Sequence, residues 1–129
     1  MKSLILGGVF ALVAGLAHAD PLEGTWKTRA DDNGNFGYVD IVPCGKNFCG
    51  KLVRSFGGDG KELATSPNKG KTLISETRST GGSSYEGKIY SPDRDKTYNS
   101  KLSLSGDKLK VSGCVMGICR DGGTWMRVK

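Results

Sequence analysis

The chain is poor in the side chains that most catalytic and metal-binding sites use. Among its 129 residues there is one histidine, His18. That residue sits in an N-terminal stretch with the form of a removable leader: Lys2 supplies a positive start, Leu4 to Leu16 is apolar and broken only by glycine, and Ala17-His18-Ala19 has the small-x-small pattern of a signal-peptidase site. Removing residues 1–19 takes away the only imidazole. Serine-histidine triads, histidine general bases and imidazole metal ligands are then excluded from the mature protein. Long apolar runs are also missing. The leader's run is shorter than the ~20 residues a helix needs to cross a bilayer, and nothing after it approaches that length. A sustained helical period is absent from Asp20 onward, and so are an arginine-rich helix and the aromatic signature of RNA-binding sheets.

The expected product is a single domain, residues 20–129, exported to the periplasm or secreted, with no transmembrane segment. Retention of the leader as an anchor is the alternative. Removing Lys2 from the 19 basic residues leaves 18 against 13 acidic ones, a net charge of +5. Of the 20 glycines, all but Gly7, Gly8 and Gly15 belong to the mature part. They recur with Asn, Asp, Ser and Pro at short intervals, which is the pattern of many short strands joined by tight turns.

Eight strands can be read: Gly24 to Ala30, Phe36 to Pro43, Phe48 to Phe56, Thr72 to Thr77, Ser84 to Tyr90, Thr97 to Leu104, Lys108 to Cys114 and Cys119 to Val128. The longest connection is Gly57 to Lys71, where Glu62-Leu63-Ala64 is long enough for one helical turn at most. Alternation is clearest late in the chain. Tyr98, Ser100, Leu102 and Leu104 oppose Asn99, Lys101 and Ser103; Leu109 and Val111 oppose Lys108 and Lys110; Tyr85, Gly87 and Ile89 oppose Glu86 and Lys88. A sheet with one dry face and no helix to cover it must close on itself or split into two packed layers. Short hairpins favour the first, so the expected fold is all-β: a small antiparallel, up-and-down, eight-stranded β-barrel.

Cys44 and Cys49 enclose Gly-Lys-Asn-Phe, and Cys114 and Cys119 enclose Val-Met-Gly-Ile. An even count in an exported protein reads as disulfides. Three pairings are possible. The hairpin-local pairs Cys44–Cys49 and Cys114–Cys119 are favoured because residues flanking a four-residue loop fall within bonding reach. A cross pair and a four-thiolate zinc site are the rivals.

Gly24-Thr25-Trp26, Cys44-Gly45, Cys49-Gly50-Lys51-Leu52-Val53, Gly87-Lys88-Ile89-Tyr90 followed by Pro92, Thr97-Tyr98, and Thr124-Trp125-Met126-Arg127 occur in this order. Together they resemble the bacterial family termed domain of unknown function 2147, across essentially the whole mature chain. The resemblance implies an exported, lipocalin-like or calycin-like barrel and no established activity. The chain departs from the family pattern in its short connection after Phe56 and in Asp93-Arg94-Asp95. The Gly-x-Trp opening is also similar to that of lipocalins, which implies that Trp26 closes one end of the barrel beneath Arg127.

Candidate chemistry is limited. Asp40, Glu76 and Glu86 are the carboxylates held in strands, but each alternates with apolar neighbours as an outward residue does, so a carboxylate-dependent hydrolase is the weaker reading. Lys88, Lys101, Lys108 and Lys110 fall on the wet side of consecutive strands and form a cationic patch suited to anionic envelope polymers such as lipopolysaccharide. The preferred expectation is a non-catalytic binding module without cofactor or metal. Its small amphipathic or lipid-like ligand would be held at the lumen or mouth by Tyr38, Arg54, Tyr85 and Tyr98.

Overall fold

The computed structural model describes residues 19–129; the leader up to His18 lies outside the described residues. Eight strands, β1 (Gly24–Lys27), β2 (Phe36–Cys44), β3 (Asn47–Phe56), β4 (Thr72–Gly81), β5 (Ser84–Ser91), β6 (Lys96–Ser105), β7 (Lys108–Val115) and β8 (Ile118–Arg127), pair antiparallel in sequence order. β1 also pairs with β8, so the sheet is a closed up-and-down barrel. No helix occurs among the described residues, and Glu62 instead bridges back to Phe56.

Up-and-down order gives the barrel two unlike ends. The β2–β3, β4–β5 and β6–β7 turns and both chain ends lie at one, here called the floor. The β1–β2, β3–β4, β5–β6 and β7–β8 connections lie at the other, the mouth. Both disulfides are hairpin-local. Cys44–Cys49 clips the β2–β3 turn at the floor, and Cys114–Cys119 clips β7 to β8 at the mouth.

Two strands depart from their sequence-read limits. β1 ends at Lys27 because Thr28 leaves the regular ladder: its N–H donates to the Gly37 carbonyl and its hydroxyl accepts the Gly37 N–H. β4 continues to Gly81 because Glu76 adopts a φ of +50° and lets the strand bulge and resume pairing with β5.

The core runs from the floor to the mouth-side start of β4, where Leu73 and Ile74 lie. Leu22, Trp26, Val39, Ile41, Leu52, Leu73, Ile74, Tyr85, Leu102, Leu104, Leu109, Val111 and Trp125 form one buried cluster. Leu22, Trp26, Val39, Ile74 and Leu109 have no residual exposure, so the lumen around them is packed shut. Gly87 leaves no gap, since a Cβ there would meet Thr77 and the Ser75 carbonyl at 2.5–2.7 Å.

Candidate functional site

The N-terminal segment forms the floor. Leu22 is buried and its carbonyl accepts the Trp26 indole N–H at 2.9 Å. The Arg127 guanidinium lies 4.3 Å from the Trp26 ring and donates to the carbonyls of Glu23 (2.9 Å) and Pro21 (2.6 Å), and to Asp107 Oδ1 (3.0 Å). One cation thus holds the first strand, the last strand, the entering segment and the β6–β7 turn. The Tyr85 hydroxyl reaches the same segment and donates to Asp20 Oδ1 at 2.5 Å. Burial, reinforced by that carboxylate, pushes the Tyr85 phenol well above its ordinary range.

The mouth is built differently. β1 and β8 pair at Trp26–Arg127 and Lys27–Met126, and toward the floor Thr25 continues the seam through backbone bonds with Val128 and Lys129. Beyond Lys27 the β1–β2 connection passes over β8, with Arg29 so close to Gly123 that a Cβ there would lie 2.5 Å from Arg29 Cδ. Beside this short seam opens a cleft of about 860 Å³, lined among others by Arg29, Arg94, Tyr98, Gly113, Ile118 and Arg120. That volume falls in the range of small-molecule sites.

Its chemistry is mixed. The β7–β8 turn places Met116 and Gly117 at positive φ, the geometry of a tight hairpin turn, and so projects Met116 into solvent. Val115, Met116 and Ile118 are 51%, 94% and 70% exposed, which makes an apolar lip. Three arginines and the carboxylates of Asp93 and Asp121 surround it. One inward position deeper along β6 than Tyr98, and directly across from Gly113, is Ser100. Its side chain is 2% exposed, and its hydroxyl has no hydrogen-bond partner. A buried polar group without a partner costs about 1–3 kcal/mol, and Ser100 lines not the mouth cleft but a separate hollow of about 330 Å³ beside Glu86 and Lys101.

The four residues singled out for binding are not brought together. Tyr98 lines the mouth cleft. Tyr85 is inward but belongs to the floor, where its hydroxyl is engaged by Asp20. Tyr38 and Arg54 face outward: Trp26 pairs with Val39, both fully buried, which turns the next pair, Lys27 and Tyr38, to the opposite side. Arg54 pairs with Tyr38 and lies 5.6 Å from its ring and 5.3 Å from that of Phe56. It also clasps Glu62 at 2.7 and 3.1 Å, which raises the guanidinium's affinity for its proton and lowers that of the carboxylate.

The carboxylates are also outward, and Asp40 lies apart from the other two. Asp40 accepts the Thr25 hydroxyl at 2.6 Å on β1–β2, whereas Glu76 and Glu86 line a shallow hollow of about 330 Å³ outside β4–β7. Of the patch lysines, Lys88 donates to Asn99 at 2.7 Å, and Lys101 lies across from Glu86, which also faces Arg78. Among the described residues no cluster is suited to hold a metal ion. Sequence reasoning missed Arg29, Arg94, Arg120 and the apolar lip, because all lie at or beside turns where no alternation marks a face.

Comparison with known proteins agrees with this architecture. The sequence model of the family described as "uncharacterized protein conserved in bacteria (DUF2147)" matches residues 24–127. Among solved structures, the chain is similar to protein HP1028 from the human pathogen Helicobacter pylori, described as belonging to the lipocalin family: TM-score 0.65 and 19% identity over 84% of this chain and 83% of that one. No curated protein matches significantly. The structural likeness shows the fold.

Proposed function

The chain belongs to the bacterial DUF2147 family, and from that premise we propose that it is an exported, non-catalytic carrier of a small amphipathic or lipid-like ligand, acting in the periplasm or outside the cell. The carrying observation is the division of the lumen. Trp26, Leu22, Leu109 and Trp125 pack its floor end, while the mouth opens into the cleft lined by Tyr98, Gly113 and Ile118. An apolar lip beside arginines and a tyrosine suits a ligand with an apolar body and a polar end. The lipocalin-like barrel of HP1028 supports the same class of reading. The outer-wall lysines support binding of an anionic polymer less well, because Glu86 stands between Arg78 and Lys101 and Lys88 is held by Asn99.

Native mass spectrometry of the protein purified gently from its own cells tests the proposal. The expected result is a fraction carrying one additional small-molecule mass that is lost on collisional activation. Protein that is uniformly ligand-free, and whose thermal midpoint does not move with any of a panel of fatty acids, lysophospholipids and isoprenoids, would overturn it.

A further inference from the structure

The segment that makes the floor begins at a potential processing point, and its first residue is already placed for what processing would create. Asp20 is partly buried, whereas Ala19 is exposed. The backbone nitrogen of Asp20 donates to Glu23 Oε2 at 3.0 Å, while the Asp20 carbonyl accepts the Glu23 N–H at 2.9 Å. The Asp20 side chain is committed too, accepting from the Leu22 N–H at 2.8 Å and from the Tyr85 hydroxyl. Every polar group of residue 20 therefore has a partner within the floor.

We propose that the Ala19–Asp20 bond is a cleavage site whose product, the α-ammonium of Asp20, pairs with the Glu23 carboxylate and completes the barrel floor. The proposal rests on the leader reading of residues 1–19, not on the ligand reading. In the cleavage, water supplied to a leader-removing peptidase adds across the amide. Ala19 departs with a carboxylate, and Asp20 keeps the nitrogen, protonated near neutral pH as an ammonium. A neutral N–H donor at 3.0 Å from a carboxylate becomes a cation in the same place, and a charge-assisted bond replaces an ordinary one. Processing thus strengthens a contact in the segment that carries Leu22 beneath Trp26, and an uncleaved chain keeps only the neutral bond.

Among the described residues, the charged and titratable groups around this amine are Glu23, the Asp20 carboxylate, the Tyr85 hydroxyl on β5, and Arg127 on β8, which is already bound to the carbonyls of Pro21 and Glu23. Asp40 on β2 and the terminal Lys129 share a surface hollow with Ala19 and Glu23. An α-amine ordinarily titrates at about pH 7.7–8.0. Pairing raises that value in the folded protein. The stabilisation is therefore complete below about pH 7.7 and is lost as pH climbs through the raised folded value.

The test uses the full chain, exported from bacteria. Sequencing the N-terminus of the product should give Asp20 first; any other first residue overturns the proposal at the cleavage step. Thermal midpoints are then compared between pH 7 and pH 9.5 for the native product, for a variant with Ala-Gly inserted after Ala19 so that the amine moves two residues away, and for Glu23→Gln. The native product should lose about 2–5 °C more than either variant across that range. Equal losses in all three would overturn the pairing while leaving both the cleavage site and the ligand reading standing.

Discussion

Replacing Arg127 with methionine should loosen the floor, because methionine keeps much of the side-chain length and removes only the guanidinium. Three kinds of contact go. The cation–π contact with Trp26 at 4.3 Å is worth about 1 kcal/mol for a partly desolvated pair. The bonds to the Pro21 and Glu23 carbonyls contribute about 1 kcal/mol each, discounted from the value for fully buried charged donors because water can replace the guanidinium at this end. The pair with Asp107, whose side chain is 77% exposed, adds less than about 0.5 kcal/mol. The expected loss is about 3 kcal/mol. At roughly 2.1 cal/mol/K per residue of unfolding entropy, this corresponds to a fall of about 13 °C in thermal midpoint for a barrel of this size. Urea titration followed by tryptophan fluorescence at pH 7 measures it directly, since Trp26 and Trp125 both report on the floor. Arg127→Lys should recover only about 1 kcal/mol, because an ammonium cannot reach both carbonyls and stack on the indole together. A loss below about 1 kcal/mol for methionine, or a lysine variant as stable as the native protein, would refute the view that this guanidinium is the floor's main tie.

Ser100→Ala should raise the stability of the protein by about 1 kcal/mol, since it removes a buried hydroxyl without a partner; destabilisation instead would show that the hydroxyl is satisfied. Tyr85→Phe should flatten the alkaline limb of the stability profile. The phenol's pKa is raised on folding by burial and by Asp20, so its contribution is intact below about pH 10 and fades above it; an unchanged alkaline limb would contradict the assignment. Replacing Cys114 and Cys119 together with serine should cost about 2 kcal/mol, as expected for so short a loop, and should speed ligand release at the mouth. The Cys44, Cys49 double serine variant should cost a similar amount without altering release, because its loop is at the floor.

The barrel was legible because its causes are local. Leu102, Leu104, Leu109 and Val111 alternate with lysines and serines, turns fall between them, and each cysteine pair spans one hairpin. The early end of β1 was not, because it depends on a bond between Thr28 and Gly37 across a loop. Nor was the floor latch, whose partners Asp20 and Tyr85 are 65 residues apart. Tyr38 is a different case: Val39 and Ile41 already mark the inner side of β2, so its outward placement was readable from the same alternation. Arg54 was harder, since the irregularity between Tyr38 and Val39 shifts β3 by a residue and cannot be counted from the sequence. The mouth arginines lie at or beside connections, where no period distinguishes an inward from an outward side chain.

The most direct test of a barrel packed at one end and receptive at the other is NMR shift mapping with the amphipathic probe 1-anilinonaphthalene-8-sulfonate. Saturable shifts confined to Tyr98, Gly113, Val115, Ile118 and Arg120, with Trp26 and Leu22 unmoved, are the predicted result. Shifts centred on the outer wall around Tyr38 and Arg54, or no saturable shifts at all, would contradict it.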